Sequence, residues 1–316
     1  MNSRIVVGLC FSVVAMVPPR VGAQDISLRL ARQRADAALR EIATELPAPA
    51  SGGTQSGEPG TAPPVPGSRR EINVSLDGRL GFDKQTVALA APAGVGIVRR
   101  RISSVDLSVE YPFSDVSSVS LVVPWVDQRA TLDSPIGSAL RRGRGLGDIG
   151  IYFQHRYPEI ARGTELGISV GLVTPTGKDA FSLAPNELPT GVGFYQPVAR
   201  VTLRKMRLPL QFYGAFDYGT AFSRNIGGTR VHLPDSYGGE LGFYYAMGPE
   251  FISQTSVSVS KVTSPFIDAP GSTVAYLSQA FHYQANLVTR LRASIDVGLT
   301  EDSTNAFAGL SLNRSF

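Results

Sequence analysis

From residue 70 to Phe316, apolar and polar residues alternate with a period of two, segment after segment. That period allows strands with one apolar and one polar face, and no helix can use it. The first segment sets Ile72, Val74, Leu76, Leu80 and Phe82 against Asn73, Ser75, Asp77 and Arg79. The second sets Val105, Leu107, Val109 and Tyr111 against Ser104, Asp106, Ser108 and Glu110. Similar combs run through Val119 to Trp125, Ile149 to Tyr157, Leu166 to Leu172, Tyr195 to Leu203, Leu208 to Tyr218, Tyr237 to Tyr245, Phe251 to Val259, Leu277 to Leu287 and Leu291 to Leu299. With the stretch ending at Phe316, that makes about twelve strands, within the range of small membrane barrels.

The connections alternate in length. Short ones fall near Ser114-Asp115, Pro158–Gly163, Lys205-Met206, Gly248-Pro249 and Val288-Thr289. Longer ones fall near 84–101, 127–144, 174–192, 220–236 and 262–273, with a shorter last one near 301–304. Short periplasmic turns, longer outer loops and an even strand count are the wiring of bacterial transmembrane barrels. The expected fold is therefore all-β: an antiparallel transmembrane β-barrel of residues 70–316 in the cell outer membrane of a Gram-negative bacterium. A soluble β-sandwich competes, but needs neither the length alternation nor a terminal aromatic. Tyr111, Phe113, Tyr157 and Phe251 fall toward the inner rim, and Trp125, Tyr195 and Tyr237 toward the outer one, as in aromatic girdles. Mean hydropathy is near zero, because lipid-facing residues alternate with polar ones.

Residues 1–23 read as a secretory signal peptide. Arg4 is its positive end, Ile5 to Val17 its apolar run, and Val21-Gly22-Ala23 its cleavage site. The single cysteine, Cys10, lies inside it, and Leu9 before it is too large for lipoprotein processing. A chain processed after Ala23 has no cysteine chemistry. Losing Arg4 and Arg20 takes the net charge from +4 to +2, which argues for no nucleic-acid partner. Residues 24–46 read as a short periplasmic helix that Asp25 can cap. Leu28, Ala35 and Ile42 recur every seventh residue, a pattern open to a short coiled coil or to a plain surface helix. Residues 47–69 are a Pro/Gly-rich linker.

On the polar parity stand Asp77, Arg79, Asp106, Glu110, Asp148, Glu165, Arg200, Asp217, Glu240, Arg292 and Asp296. These are the expected lumen-lining residues. They either set a transverse field across an open pore or cross-pair and fill it.

Several motifs mimic enzyme chemistry. Gly145 to Gly150 spells the dinucleotide fingerprint, but 137–144 reads as a basic loop and a strand follows where a helix is required. Gly171 to Lys178 has five residues between its glycines where a phosphate loop has four, and Asp179 replaces the magnesium-binding hydroxyl. His155, His232 and His282 are too scattered for a metal site. Lipid-face phospholipase barrels use a His–Ser pair, and His155 has the outward parity, but it stands near the inner rim beside Tyr157 and reads as an interfacial histidine. No catalytic residue, metal or cofactor is expected.

Three resemblances add to this. The comb Ala308, Leu310, Leu312, Phe316 resembles the C-terminal signal read by the barrel assembly machinery, which with outer-membrane lipid would be a partner. Gly145, Gly147 and Asp148 at a strand start, followed by Pro175, Thr176 and Gly177, resemble the "GxGD" and "PTG" motifs of the outer-membrane transporter family named for the phenol meta-pathway. That resemblance implies a small barrel passing solutes, often aromatic or apolar. A helix, a linker and a twelve-stranded barrel are also similar to the Fap-type secretion pore of functional-amyloid systems. This implies a homotrimer through residues 25–46 and a gated export pore. A third reading is a structural barrel that anchors a periplasmic partner through Arg29, Arg32, Arg34 and Arg40.

Overall fold

The computed structural model describes residues 72–316 apart from 89–94, 135–136, 180–182, 185, 208–209, 227–228, 232–234, 249, 263–271, 287 and 301–302. The signal peptide, helix and linker, with Cys10, His232, Leu208 and Leu287, lie outside the described residues.

The strands are β1 (Asn73–Ala88), β2 (Val95–Pro112), β3 (Ser117–Ser134), β4 (Gly137–Leu146), β5 (Ile149–Ala161), β6 (Thr164–Thr174), β7 (Gln196–Arg207), β8 (Leu210–Gly219), β9 (Arg224–Ile226), β10 (Thr229–Val231), β11 (Ser236–Ala246), β12 (Phe251–Val262), β13 (Ser272–Asn286), β14 (Thr289–Gly298) and β15 (Ala306–Ser315). β9 and β10 form a small separate hairpin. The others pair antiparallel with their neighbours, β1 pairs with β15, and β2 with β3, so the sheet closes on itself. β3 pairs with β5 along Ser117–Val122 and with β4 along Trp125–Ser134. β4 and β5 thus form one interrupted stave, and the ring is a closed twelve-stranded antiparallel barrel.

Burial runs opposite to that of a soluble domain. Leu241 is 73% exposed and Leu310 66%, while Ser118, Ser120, Glu240, Gln254 and Ser256 are buried. Period-two geometry explains the inversion: one parity of each strand faces out, the other into the ring. A continuous apolar outer wall is stable only against lipid. Three polar side chains on that wall satisfy one another. Thr255 Oγ1 donates to Gln279 Oε1 (2.7 Å), and Gln279 Nε2 donates to Ser253 Oγ (2.9 Å).

The strands on one side run further than the alternation suggests. Residues expected as loops at 84–101 and 127–144 are largely strand, with β2 and β3 each 18 residues long. Beyond Trp125 the outward positions are Asp127 and Arg129, so polar residues alternate with mixed ones and the period disappears. Pairing in the β1–β2 and β3–β4 hairpins still holds the backbone extended. A strand, β4, therefore does precede Gly147-Asp148, where a basic loop was expected. The segment after it is strand β5, so the helix N-terminus that a nucleotide site needs is absent there.

Leu241 lies midway along β11 and faces out. Leu241→Arg should cost about 2–4 kcal/mol in lipid vesicles. Ser258→Arg, at the inward position opposite Glu240, should cost much less. Urea unfolding followed by heat-modifiable gel migration measures both, and equal losses would refute the assignment of faces.

Candidate functional site

The interior carries a hydrogen-bonded cluster on the wall formed by β7, β8, β11, β12 and β13. Arg200 on β7 donates from Nη1 to Asp217 Oδ1 (3.1 Å) and from Nη2 to Glu240 Oε2 (3.0 Å). Tyr213 donates its hydroxyl to Glu240 Oε1 (2.6 Å) and accepts from Gln254 Nε2 (2.7 Å). Gln254 Oε1 lies 3.0 Å from His282 Nε2. The Tyr244 ring stacks on Tyr213 at 5.0 Å and meets His282 edge-on at 6.0 Å. Each side chain sits on the inward parity of its strand, and strand register sets them side by side. The cluster combines a cation, two carboxylates and two aromatic rings; Tyr213, Tyr244, Glu240 and Gln254 are buried, with Tyr213 satisfying both Glu240 and Gln254, and Asp217 is the more open charged member.

At the opposite wall the ring is interrupted. β4 has β3 on one edge and no strand on the other. Residues 186–190 lie along that free edge. Leu188 N–H donates to Arg142 O, and Arg142 N–H donates to Asn186 O, both at 3.1 Å. Arg141 Nη2 donates to Glu187 O (2.8 Å), and Gln128 Nε2 donates to Pro189 O. The fold-back is locked by the two short motifs together. Asp148 accepts from Gly177 N–H at 2.9 Å through Oδ1 and from Val192 N–H through Oδ2. Thr176 Oγ1 donates to Gly147 O and accepts from Ile149 N–H, each at 2.9 Å. Thr190 Oγ1 donates to Leu146 O (2.7 Å) and accepts from Lys178 N–H (3.0 Å). The packing leaves no room for side chains at two positions: a Cβ on Gly177 would stand 2.7 Å from Gly191 Cα, and one on Gly191 would meet the Asp148 carboxylate.

Among the expected lumen residues, Asp77, Arg79, Asp106, Glu110, Glu165, Arg200, Asp217, Glu240, Arg292 and Asp296 occupy inward positions of their strands. The structure brings Arg200, Asp217 and Glu240 together. Glu165 pairs with Arg204 at 3.4 Å, Glu110 accepts from Ser118 Oγ at 2.5 Å, and Asp77 faces Asp106 across β1 and β2. Asp148 stands apart, its carboxylate held by backbone amides at the seam. Ala308, Leu310 and Leu312 face outward on β15, and Phe316 follows it, 67% exposed. Tyr213, Tyr244, Gln254 and His282 were not among the expected residues. Their signal was an aromatic or amide on the polar parity between outward aromatics, as Tyr244 lies between Phe243 and Tyr245. His155, on the outward face, has Nδ1 2.7 Å from Ser117 Oγ and its ring edge-on to Tyr157 at 4.5 Å. Neither contact is with a carboxylate that could orient it as a catalytic base.

No protein-family model matches the chain, and no curated protein matches it in sequence. A solved structure shares its fold, and others resemble it more weakly. The COG4313 outer membrane channel from Pseudomonas putida F1 superposes with a TM-score of 0.61 at 14% identity, over 82% of this chain and 99% of that one. The CymD monoaromatic hydrocarbon channel gives 0.42 at 11% identity over 87% and 92%. The KdgM porin gives 0.43 at 10% identity over 77% and 99%.

Asp148→Ala removes the acceptor of two backbone amides, each such charge-assisted bond being worth about 1.5–3 kcal/mol. Trypsin should then cut after Lys178 faster than in the wild type, with the heat-modifiable barrel intact. Unchanged cleavage would show that the segment is held by something else.

Proposed function

We propose that the chain is an outer-membrane channel that passes small solutes through the ring, with aromatic or apolar compounds as the favoured class and the N-terminal segment in the periplasm. The observation that carries this reading is the inverted burial: an apolar wall around a charged and hydrogen-bonding interior. Likeness in fold to an outer membrane channel supports the same reading.

Two features of the interior support this solute class. Buried apolar side chains, including Val98, Leu132, Val262 and Val274, stand on inward positions near the long-connection end. Beyond them, the stacked Tyr213 and Tyr244 rings are buried beside the Arg200 cluster. An aromatic solute with a polar substituent would pass a wall packed with apolar and aromatic side chains and meet the charged groups of Arg200 and Asp217. The resemblance to the phenol meta-pathway transporters points to the same class.

Single-channel conductance in planar bilayers tests this, comparing the mature protein with a chain that begins at Ser68. Steady conductance from both is the expected result. A closed mature protein that opens on truncation would favour the gated export pore, and silence from both would favour the structural barrel. Arg200→Ala leaves Asp217 and Glu240 without their cation. It should raise conductance and shift the reversal potential toward cation selectivity. An unchanged reversal potential would remove this cluster from the permeation path.

A further inference from the structure

The outer wall of β1–β4 carries a one-sided block of positive charge just beyond the girdle. Above the row Val105–Trp125–Leu146, the next outward row holds Ser103, Asp127 and Arg144. The row after that holds Phe82, Arg101, Arg129 and Arg142, directly opposite one another across four adjacent strands. The next begins with Lys84 and Arg99. Six cations thus share this face with two acids, Asp127 and Asp133. The acids pair with Arg99, Arg129 and Arg142, while Arg144 lies over the Trp125 ring at 5.9 Å. Among the described residues, strands β6–β8 and β11–β15 present Lys261 alone as an outward cation at this end.

Such a row is unfavourable by itself. Side chains directly opposite on neighbouring strands have Cβ atoms about 4.5–5.5 Å apart, and like charges there repel. An arrangement of Arg101, Arg129 and Arg142 in one line is stabilised by an anion that bridges them. The level on the barrel identifies the anion's source. A tilted strand crosses the hydrocarbon layer in about 9–11 residues, the length of the run from Tyr111 to Arg101 on β2. The arginines therefore stand at headgroup height. Arg99, Arg101 and Arg129, with Lys84, line an open cleft of about 480 Å³ whose lining also includes Phe82, Thr131 and Leu140, and Arg142 stands beside Arg129 just outside it. That volume takes a phosphorylated sugar and is far larger than one phosphate needs. The exposed Phe82 and Leu140 give it apolar flanks.

We propose that this face binds the phosphorylated sugar headgroup of an anionic glycolipid in the outer leaflet, through Arg101, Arg129 and Arg142 with Lys84 and Arg99 at the margin. The site rests on the outer-membrane reading above, with the long connections outside, and is independent of channel activity.

Trp125 is the chain's single tryptophan and lies beneath the patch, so its fluorescence reports occupancy. The full-length protein in phosphatidylcholine nanodiscs would be titrated with a bisphosphorylated acyl-glucosamine disaccharide, its dephosphorylated form, phosphatidylglycerol and inorganic phosphate. Saturable binding of the bisphosphorylated lipid is expected, weakened at least about tenfold by Arg101→Gln with Arg129→Gln and unchanged by Lys261→Gln. Equal binding by the double variant would overturn the site. Equal binding of phosphatidylglycerol would reduce it to diffuse surface charge, and saturation by phosphate alone would reassign it to a free anion; either result overturns the proposal. A second measurement does not depend on affinity. In neutral detergent Arg101→Gln should raise the unfolding midpoint by relieving repulsion, and added glycolipid should raise the wild type more than the variant. A midpoint lowered in detergent, with no extra gain from lipid in the wild type, would overturn the proposal. A protein that binds the lipid but conducts nothing would sink the channel reading and leave this one standing, and the converse result would do the reverse.

Discussion

Every backbone N–H and C=O that meets hydrocarbon needs a partner within the protein, and the rest of this structure depends on that constraint. A sheet meets it only by having no edge. The β1–β15 ladder runs from Asn73 opposite Ser315 to Phe82 opposite Ala306, and it removes the two edges that an open meander would leave. Closure then dictates the side-chain pattern. With lipid outside, apolar residues must take the outward parity, and the enclosed parity is free to be polar. The charged interior is a product of closure as much as of function, and its groups stay tolerable because they pair, as Arg200 does with Asp217 and Glu240.

Beyond the lipid, the free edge of β4 is covered without a strand. The free edge of β4 finds donors and acceptors in residues 186–190, and the Asp148 carboxylate fixes the segment by two amides. The two short motifs stand 27 or more positions apart in sequence yet form one joint, since Thr176 bonds to both Gly147 and Ile149. Their spacing is that of a hairpin: β5 leaves the first motif and β6 returns to the second.

Much of the barrel was legible in the sequence because period two is a direct imprint of lipid on one side. The strand interiors, most of the short turns and the rim positions of Tyr111 and Trp125 carry that imprint; the turn expected at Lys205-Met206 is instead strand, since β7 continues to Arg207 and pairs there with β8. It fades where lipid ends. Residues 127–134 and 137–146 are strand by virtue of their hairpin partners, and their outward side chains are mostly polar, with only Leu140 and Leu146 apolar. The lumen shows a related limit. Parity identified Arg200 and Glu240 as inward, but which inward groups touch depends on the register between strands. Tyr213 and Gln254 enter the cluster through that register, at 41 positions' separation. The role of Asp148 was hidden for another reason: its partners are backbone amides of a loop, which leave no residue-type signature.

The ladder that closes the ring has a further consequence, in time. Nearly every other pairing joins sequence neighbours, but Ser315 meets Asn73 across 242 positions. Closing a flexible loop of that size costs about 5 kcal/mol in chain entropy before any constant term. The hairpins can form early and cheaply, whereas the last ladder is one late, slow step. Until β15 is synthesised, every partly folded form of the chain carries two sticky, unpaired edges. Such a chain cannot mature strand by strand as it leaves the ribosome. It must be kept extended until its two terminal strands are both available, and then sealed once.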